Sequence, residues 1–352
     1  MKAISWITLA AAIVLLQGIA PLKADEEYTK KISKSFQVNK DATLEVVNKF
    51  GDIYCENWTK NEVSIEVTIT VEAPSEDKAD KYFDKISIDI EGNASRVSAV
   101  TSIDENAFGK GNHEFSIDYS IRMPASLSVE LDNKFGDLFI EEVTGNSDIN
   151  LAYGHIRAGR LAGTVNKLDM AFSEGQIGYL GTTDAEIKYC EVTIDEATSI
   201  SGVTKFSELD IKKAGVISVE SGYDEQTIGT VSDLNVDGKF SEIRVELLEN
   251  HLKADLGYGE IRIDEIMAGF SLVELENSFT DATLVFSADA SFSLDAEVKM
   301  GDISYPKSNS SISEEEVTYT TSRYRGTVGS DTDPSSRVVI EVRNSDVKIS
   351  IK

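Results

Sequence analysis

The chain has 352 residues, and its 34 Lys and Arg against 61 Asp and Glu give a formal charge of −27 at pH 7. An apolar fraction of 41% is enough for a sizeable core and excludes a disordered chain, while the acidic balance argues against nucleic-acid binding and against docking on anionic lipid. Two Cys cannot build a disulfide framework, so the disulfide-rich class is excluded as well.

Residues 1–24 have the pattern of a secretory signal peptide. A weakly basic start at Lys2 precedes an apolar run that ends near Ala20, and cleavage after Ala20 or Ala24 fits the small residues there. An uncleaved anchor is the alternative, because the run is at the short limit of the roughly 17–25 residues of a membrane span. We therefore expect an exported protein, periplasmic or on the cell surface, with no transmembrane segment in the mature chain.

Residues 25–125 are predicted to be a strand-rich N-terminal segment with one short helix. Val63–Val71 and Phe115–Ile121 alternate apolar and polar residues, which is the period of a half-buried strand. The helix is predicted over Lys78–Lys85, opened by the acidic turn Pro74–Asp77.

A six-residue motif recurs between residues 126 and 305. It reads aromatic, small, acid, apolar, any, apolar, as in Phe206-Ser207-Glu208-Leu209-Asp210-Ile211, and an outlying copy starts at Phe50. The lead positions recur at a nearly constant spacing, which widens slightly toward the last copies. The leads are Phe135, Tyr153, Phe172, Tyr189, Phe206, Tyr223, Phe240, Tyr258, Phe279 and Met300.

This spacing predicts an all-β fold, a parallel β-solenoid with coils of about 17 residues. A second apolar pair precedes each lead by six and four positions, so one unit holds two short strands. A βαβ unit needs ~30 residues and a propeller blade needs ~40, which excludes both. Coils stack ~4.8 Å apart, so equivalent positions form columns along the rod.

Each column has a predicted role. The lead rings are expected to stack on one another, and the small residue after each ring is expected to supply the unusual backbone angles of a tight corner. The core is expected to include Leu138, Ile156, Val192, Leu209, Ile243 and Ile261.

Two further segments follow the repeats. Residues 306–337 are polar and predict a hairpin or loop insertion, and residues 338–352 alternate as closing strands. Because solenoid ends must be covered against edge-to-edge growth, we expect the N-terminal segment to cover one end and the closing strands the other.

The acid position of the motif is a candidate metal site. Its column reads Asp52, Asp137, His155, Glu174, Glu191, Glu208, Glu225, Glu242, Glu260, Asp281 and Asp302. One interpretation is a row of Ca²⁺ sites between coils. The favoured interpretation is a solvated edge, relieved by salt and by nearby lysines, because the Gly-Gly-x-Gly-x-Asp signature of calcium β-rolls is absent. The nearby lysines are Lys134, Lys188, Lys205, Lys239 and Lys299.

Other reactive residues are scattered. His113, His155 and His251 lack the paired spacing of a zinc site. Cys55 and Cys190 are predicted to be small buried side chains, although a bridge between them in an oxidising compartment is an alternative. We assign no catalytic, cofactor-binding or metal residue and expect no cofactor.

The motif also points to a family. Asn48-Lys49-Phe50-Gly51-Asp52-Ile53 and Asn133-Lys134-Phe135-Gly136-Asp137-Leu138, behind a signal peptide and before stacked strands, resemble the exported bacterial β-strand-repeat family labelled "putative adhesin", a domain of unknown function. The resemblance covers the chain from about residue 40 to its end. It implies a β-solenoid in the cell envelope and brings no catalytic residues.

These observations predict a non-enzymatic, acidic envelope protein of the adhesin-like or scaffold kind, with an unknown protein or glycan as its ligand. Two alternatives stay open. One is a carbohydrate-active β-helix enzyme, a polysaccharide lyase or hydrolase, although such enzymes build clefts from longer coils. The other is a scaffold that assembles through its rod ends. The pattern predicts no particular oligomeric state.

Overall fold

The computed structural model describes residues 26–104 and 115–352. The predicted signal peptide and His113 lie outside the described residues. The elements are β1 (Glu26–Gln37), β2 (Thr43–Lys49), β3 (Ile53–Asn57), β4 (Glu62–Ala73), α1 (Glu76–Phe83), β5 (Ile86–Gly92), β6 (Arg96–Ile103), β7 (Phe115–Met123), β8 (Ser128–Lys134), β9 (Leu138–Val143), β10 (Ser147–Ala152), β11 (His155–Leu161), β12 (Asn166–Ala171), β13 (Glu174–Lys188), β14 (Glu191–Lys205), β15 (Glu208–Gly222), β16 (Glu225–Lys239), β17 (Glu242–Ile266), β18 (Leu272–Leu275), β19 (Ser278–Phe286), β20 (Phe292–Lys299), β21 (Ile303–Ser304), a 3₁₀ turn (Lys307–Asn309), β22 (Ser310–Val317), β23 (Thr321–Val328), β24 (Arg337–Arg343) and β25 (Val347–Ile351).

The repeats form a parallel β-solenoid, as their spacing predicts. Strands β13 to β17 pair in parallel with the next coil in register, so Glu191 lies beside Glu208, Glu208 beside Glu225 and Glu225 beside Glu242. Each of these steps advances the chain by one copy of the motif, which confirms that one motif makes one coil.

The core fills the inside of the coils. The predicted inward positions are at most 3% exposed, because each points away from solvent between two neighbouring coils. They are Leu138, Ile156, Val192, Leu209, Ile243 and Ile261.

The outlying Phe50 copy is itself a coil of the rod. Strand β2 pairs in parallel with β8, and β3 pairs with β9. On their other side lie β6 and β7, in parallel with β2 and β3 respectively. The solenoid therefore starts within the N-terminal segment, and β6 and β7 supply the strands of its outermost parallel coil.

Antiparallel strands and the helix finish this end. Strand β4 pairs antiparallel with β7, and β1 pairs antiparallel with β4. Helix α1 packs against β4 and β1 and buries Ala79 and Phe83. Glu76 and Asp77 form its acidic first turn, as predicted, and it ends at Phe83, slightly before the predicted Lys85. Among the described residues, no helix has the length and apolarity to cross a bilayer.

The other end departs from chain order. Strand β24 lies between β18 and β20, and β25 lies between β19 and β21. Strands β22 and β23 form an antiparallel hairpin, and β23 also pairs antiparallel with β20. The expectation that the last strands cover this end is therefore wrong: they fill a gap inside the rod, and the hairpin adds the final strands.

Candidate functional site

The lead rings stack along one corner of the rod, as predicted. We call this stack the aromatic ladder. Neighbouring centroids are 4.7–5.2 Å apart and the ring planes lie within 15° of parallel. Its members are Phe50, Phe135, Tyr153, Phe172, Tyr189, Phe206, Tyr223, Phe240, Tyr258 and Phe279.

The ladder is a continuous exposed apolar strip. From Phe135 to Phe279 the rings are 40–54% exposed. Stacking covers the ring faces, so the ring edges and the tyrosine hydroxyls meet solvent. Contiguous exposed apolar surface on a soluble protein commonly marks an interaction site.

At the corner, the aromatic residues adopt the left-handed backbone conformation, and the small residues after them do not. Every ladder residue has a φ between 52° and 65°. Among the glycines that follow a lead residue in the described chain, Gly51 alone has a positive φ. The expectation about glycine was wrong because the turn is made one residue earlier, at the ring, which directs the ring outward.

The small residue is required by close approach to the neighbouring coil. A Cβ on Gly154 would lie 2.0 Å from the carbonyl oxygen of Gly136, and one on Gly259 would lie 2.0 Å from that of Ser241. Elsewhere the side chain at this position bridges two coils. Ser207 Oγ accepts from the backbone N–H of Cys190 at 3.2 Å.

Asp224 occupies the same position and is the buried acid of the corner. It is 4% exposed, and its carboxylate accepts from the backbone N–H groups of Ser207 and Gly222, each at 2.9 Å. The hydroxyls of Thr204 and Ser221 also donate to it, each at 2.7 Å. Four donors compensate for the desolvation of this carboxylate, which fits a structural role.

The acid column has two kinds of member. Aspartates lie toward the rod ends, and the carboxylates of Asp52, Asp137 and Asp281 accept from the backbone of a neighbouring coil. Asp52 Oδ1 accepts from the N–H of Asp137 at 2.8 Å, and Asp281 Oδ1 accepts from that of Asp346 at 2.8 Å. These short side chains reach the neighbouring main chain, so they hold coils together.

Glutamates fill the middle of the column and face solvent. We call Glu174, Glu191, Glu208, Glu225, Glu242 and Glu260 the glutamate row; all six are exposed. Their backbone N–H groups donate to the preceding coil, as Glu208 does to Cys190 at 2.9 Å, whereas their carboxylates point away. In the described part of the chain, only Glu174 of this row has an ion-pair partner, His155.

The lysines do not relieve this row as predicted. Lys188 pairs with Glu186 and Lys299 with Glu297, two residues back on the same strand face. Lys134 Nζ lies 5.2 Å from the ring centroid of Phe135. Each of these lysines directly precedes a lead residue, whereas each glutamate follows one by two positions, and among the described residues no ion pair joins the two sets.

A long open groove follows the ladder and the acid column. It has a volume of about 890 Å³ and runs along the rings of Tyr153, Phe172, Tyr189, Phe206 and Tyr223. Its carboxylate border extends from Asp137 to Glu225. This shallow, largely open surface combines apolar ring edges, hydroxyls and carboxylates, which suits an elongated ligand of positive charge.

His155 interrupts the acid column. Its Nδ1 lies 3.0 Å from Asp137 Oδ1 and its Nε2 lies 3.3 Å from Glu174 Oε2. The hydrogen bond with Asp137 is the main cause of its raised pKa, opposed by partial burial and supported by both negative charges. A protonated imidazole would thus neutralise part of the column.

The cysteines are both free and buried. Burial raises the pKa of the Cys55 thiol to about 12 and raises that of Cys190 as well, so neither is an activated nucleophile. In the ranges 26–104 and 115–352 no cluster of three or more His, Cys, Asp or Glu is arranged to hold a metal ion.

Comparisons with known proteins find likeness only among solved structures; no family model and no curated protein matches the chain. A "putative adhesin" from Bacteroides fragilis is 14% identical, with a TM-score of 0.33, covering 73% of this chain and 97% of its own. A "putative adhesin" from Parabacteroides merdae is 12% identical, with a TM-score of 0.34, covering 74% and 96%.

A "putative lipid binding protein" from Parabacteroides distasonis is 11% identical, with a TM-score of 0.30, covering 92% of this chain and 96% of its own. Two of these three descriptions carry the label of the family that the Asn-Lys-Phe-Gly-Asp motif resembles. At such identities and TM-scores, they carry no argument about what this chain binds.

Proposed function

We propose that this protein is a non-enzymatic binding protein of the cell envelope, adhesin-like in its use of one long face. The aromatic ladder and the glutamate row form that face, and its ligand is an elongated protein or glycan. The observation that carries the proposal is the unbroken stack of exposed rings from Phe135 to Phe279. Contiguous exposed apolar surface of this length commonly marks an interaction site.

The backbone supports this interpretation. A left-handed conformation costs a non-glycine residue about 1–2 kcal/mol, and every ladder residue adopts it. Asn344 holds the same conformation at the equivalent corner of the β24–β25 coil, so the fold accepts a residue other than an aromatic one there. The rings are therefore not required by the turn itself.

The test is binding to arrays of immobilised proteins and glycans. The purified protein is compared with the double variant Glu208→Lys, Glu225→Lys, which reverses charge on the face and leaves the core unchanged. The matched control is Glu249→Lys, an exposed acid at the other corner of its coil, between the paired residues Leu248 and His251. We expect specific array positions to retain wild type and the control and to lose the double variant. Equal retention of all three, or turnover of an arrayed polysaccharide, contradicts the proposal.

The predicted export is tested separately. Intact cells are treated with protease and the mature chain is detected. Cleavage places the protein on the outer surface, where adhesion is the working function. Protection until the envelope is opened places it in the periplasm, as an envelope scaffold or sensor. An unprocessed chain that fractionates with cytosolic proteins contradicts export.

A further inference from the structure

The ladder alternates Phe and Tyr from Phe135 to Phe279 without exception. The tyrosines are Tyr153, Tyr189, Tyr223 and Tyr258. Within the described residues, none of these four hydroxyls makes a hydrogen bond, and all four rings are 47–54% exposed. The face thus presents a row of unpaired hydroxyls on alternate coils, with a phenylalanine edge between each pair.

The hydroxyl row has a measurable period. Centroid steps of 5.0 and 4.8 Å separate Tyr153 from Tyr189, and two steps of 4.9 Å separate Tyr189 from Tyr223. Successive tyrosines are therefore two strand spacings apart, which is about 10 Å along the stack. A polymer that hydrogen-bonds to every hydroxyl of the row must therefore present hydrogen-bonding groups at nearly this distance.

Among peptide conformations, polyproline II fits this period best. It repeats every three residues at ~3.1 Å per residue, which is ~9.3 Å per turn, and its carbonyl groups are free to accept hydrogen bonds. An α-helix repeats at ~5.4 Å, and a β-strand presents the same face every ~6.7 Å. Grooves lined with aromatic side chains recognise polyproline II segments in several domain families.

The charged residues beside the ladder indicate that its ligand is cationic. The glutamate row borders one side of the ladder. On the other side the lysines are partly neutralised, as in the Lys188–Glu186 pair, and the lysine position is Ala152, Ala171, Gly222 or Gly257 in other coils. A ligand that carries Lys or Arg once per turn would therefore place a basic group beside the glutamate row at every second coil.

We propose that the aromatic ladder binds an extended, proline-rich and cationic peptide segment in the polyproline II conformation. The tyrosine hydroxyls donate to its carbonyl groups, the phenylalanine edges contact its proline rings, and the glutamate row binds its basic side chains. This proposal rests on the proposed function, because it names the ligand class of the same face.

The experiment is fluorescence anisotropy with a labelled Pro-Pro-Lys repeat of about twelve residues, which spans ~37 Å as polyproline II. A Gly-Gly-Lys repeat has the same charges without the rigid conformation, and a Pro-Pro-Glu repeat has the opposite charges. We expect saturable binding of Pro-Pro-Lys, at least about tenfold weaker binding of Gly-Gly-Lys, and none of Pro-Pro-Glu. Equal affinity for the two lysine repeats, or no binding of either, overturns the proposal.

Protein variants locate the binding. The double variant Tyr189→Phe, Tyr223→Phe keeps the rings and removes two hydroxyls, and we expect about tenfold weaker binding of Pro-Pro-Lys. Glu249→Gln is the control and should bind as wild type. Unchanged binding by the tyrosine variant overturns the proposal. If the arrays show a glycan that depends on the ladder while the peptide fails, this inference is wrong and the proposed function stands; if neither binds, both are wrong.

Discussion

The rings of Tyr189 and Phe206 are stacked, with centroids 4.9 Å apart and planes within 1° of parallel, although the φ values of the two residues are 56° and 53°. A left-handed residue costs about 1–2 kcal/mol, and each stacked pair returns about 0.5–1.5 kcal/mol beyond burial. Because an interior ring stacks on two neighbours, the two terms are of similar size. Stacking of the rings therefore offsets the cost of the left-handed backbone at each corner, although the rings remain exposed.

Replacing one interior ring tests this balance. Phe206→Asn keeps a residue that tolerates the left-handed conformation but removes both stacking contacts, so we expect a loss of about 1–3 kcal/mol in the free energy of unfolding. Phe206→Tyr keeps the stack and should change that free energy by less than about 0.5 kcal/mol. Urea unfolding monitored by circular dichroism measures both, and an Asn variant as stable as wild type would show that the stack contributes nothing.

Substitutions at two glycines distinguish a steric requirement for a small residue from a general effect of glycine on backbone flexibility. Gly154→Ala would place a Cβ 2.0 Å from the carbonyl oxygen of Gly136, so the backbone must shift and we expect a loss of about 1–3 kcal/mol in unfolding free energy. Gly222→Ala places its Cβ 3.6 Å from Lys205 Cγ and meets nothing closer, so it should be nearly neutral. Equal effects of the two substitutions in thermal unfolding would contradict a steric role for the small position.

Removing the buried carboxylate should be costly. Asp224→Ala leaves the N–H groups of Ser207 and Gly222 and the hydroxyls of Thr204 and Ser221 without their acceptor. Each buried unsatisfied group costs about 1–3 kcal/mol, and relaxation of the hydroxyls offsets part of this, so we expect a total loss of at least about 3 kcal/mol. The exposed neighbour Glu225→Ala is the control. Denaturant midpoints that fall equally for both variants would be inconsistent with this network.

The pH dependence of stability should report on His155. Its pKa is raised in the folded state, mainly by the hydrogen bond with Asp137. A raised pKa means that the stabilisation is complete below the unfolded value of about 6.5 and is lost as pH rises through the folded value. The melting temperature of wild type minus that of His155→Gln should therefore be larger near pH 5.5 than near pH 8. Because His155 is exposed, solvent screens its interaction with Asp137 and keeps this difference small. A difference that grows toward pH 8 would contradict the assignment.

Much of the rod follows from local pattern. The apolar alternation and the regular spacing of the motif define the coil, and in-register stacking then places Phe206 beside Tyr223 and Glu208 beside Glu225. Columns of identical side chains are a direct consequence of a constant coil length, so the face could be predicted from the sequence alone.

The rest of the fold depends on tertiary contacts that the spacing of the motif does not specify. Val338 of β24 aligns with both Val273 and Leu294, so the last coil enters between two that precede it in the chain. Each of these strands can pair in parallel with any other, and the alternation of apolar and polar residues does not specify which strand becomes its neighbour. The role of the small position was likewise hidden, because the sequence shows that Gly154 is small but not that the carbonyl of Gly136 lies against it.

Hydroxyl-radical footprinting is the most direct test that the aromatic ladder is the binding face. Oxidation of Phe172, Tyr189, Phe206 and Tyr223 is measured by mass spectrometry with and without the ligand that the arrays or the peptide titration yield. Tyr319, on the turn between β22 and β23 and fully exposed, is the internal reference. We predict that the ladder rings become protected while Tyr319 reacts at an unchanged rate. Unchanged oxidation of the ladder, or protection confined to Tyr319, would contradict the account.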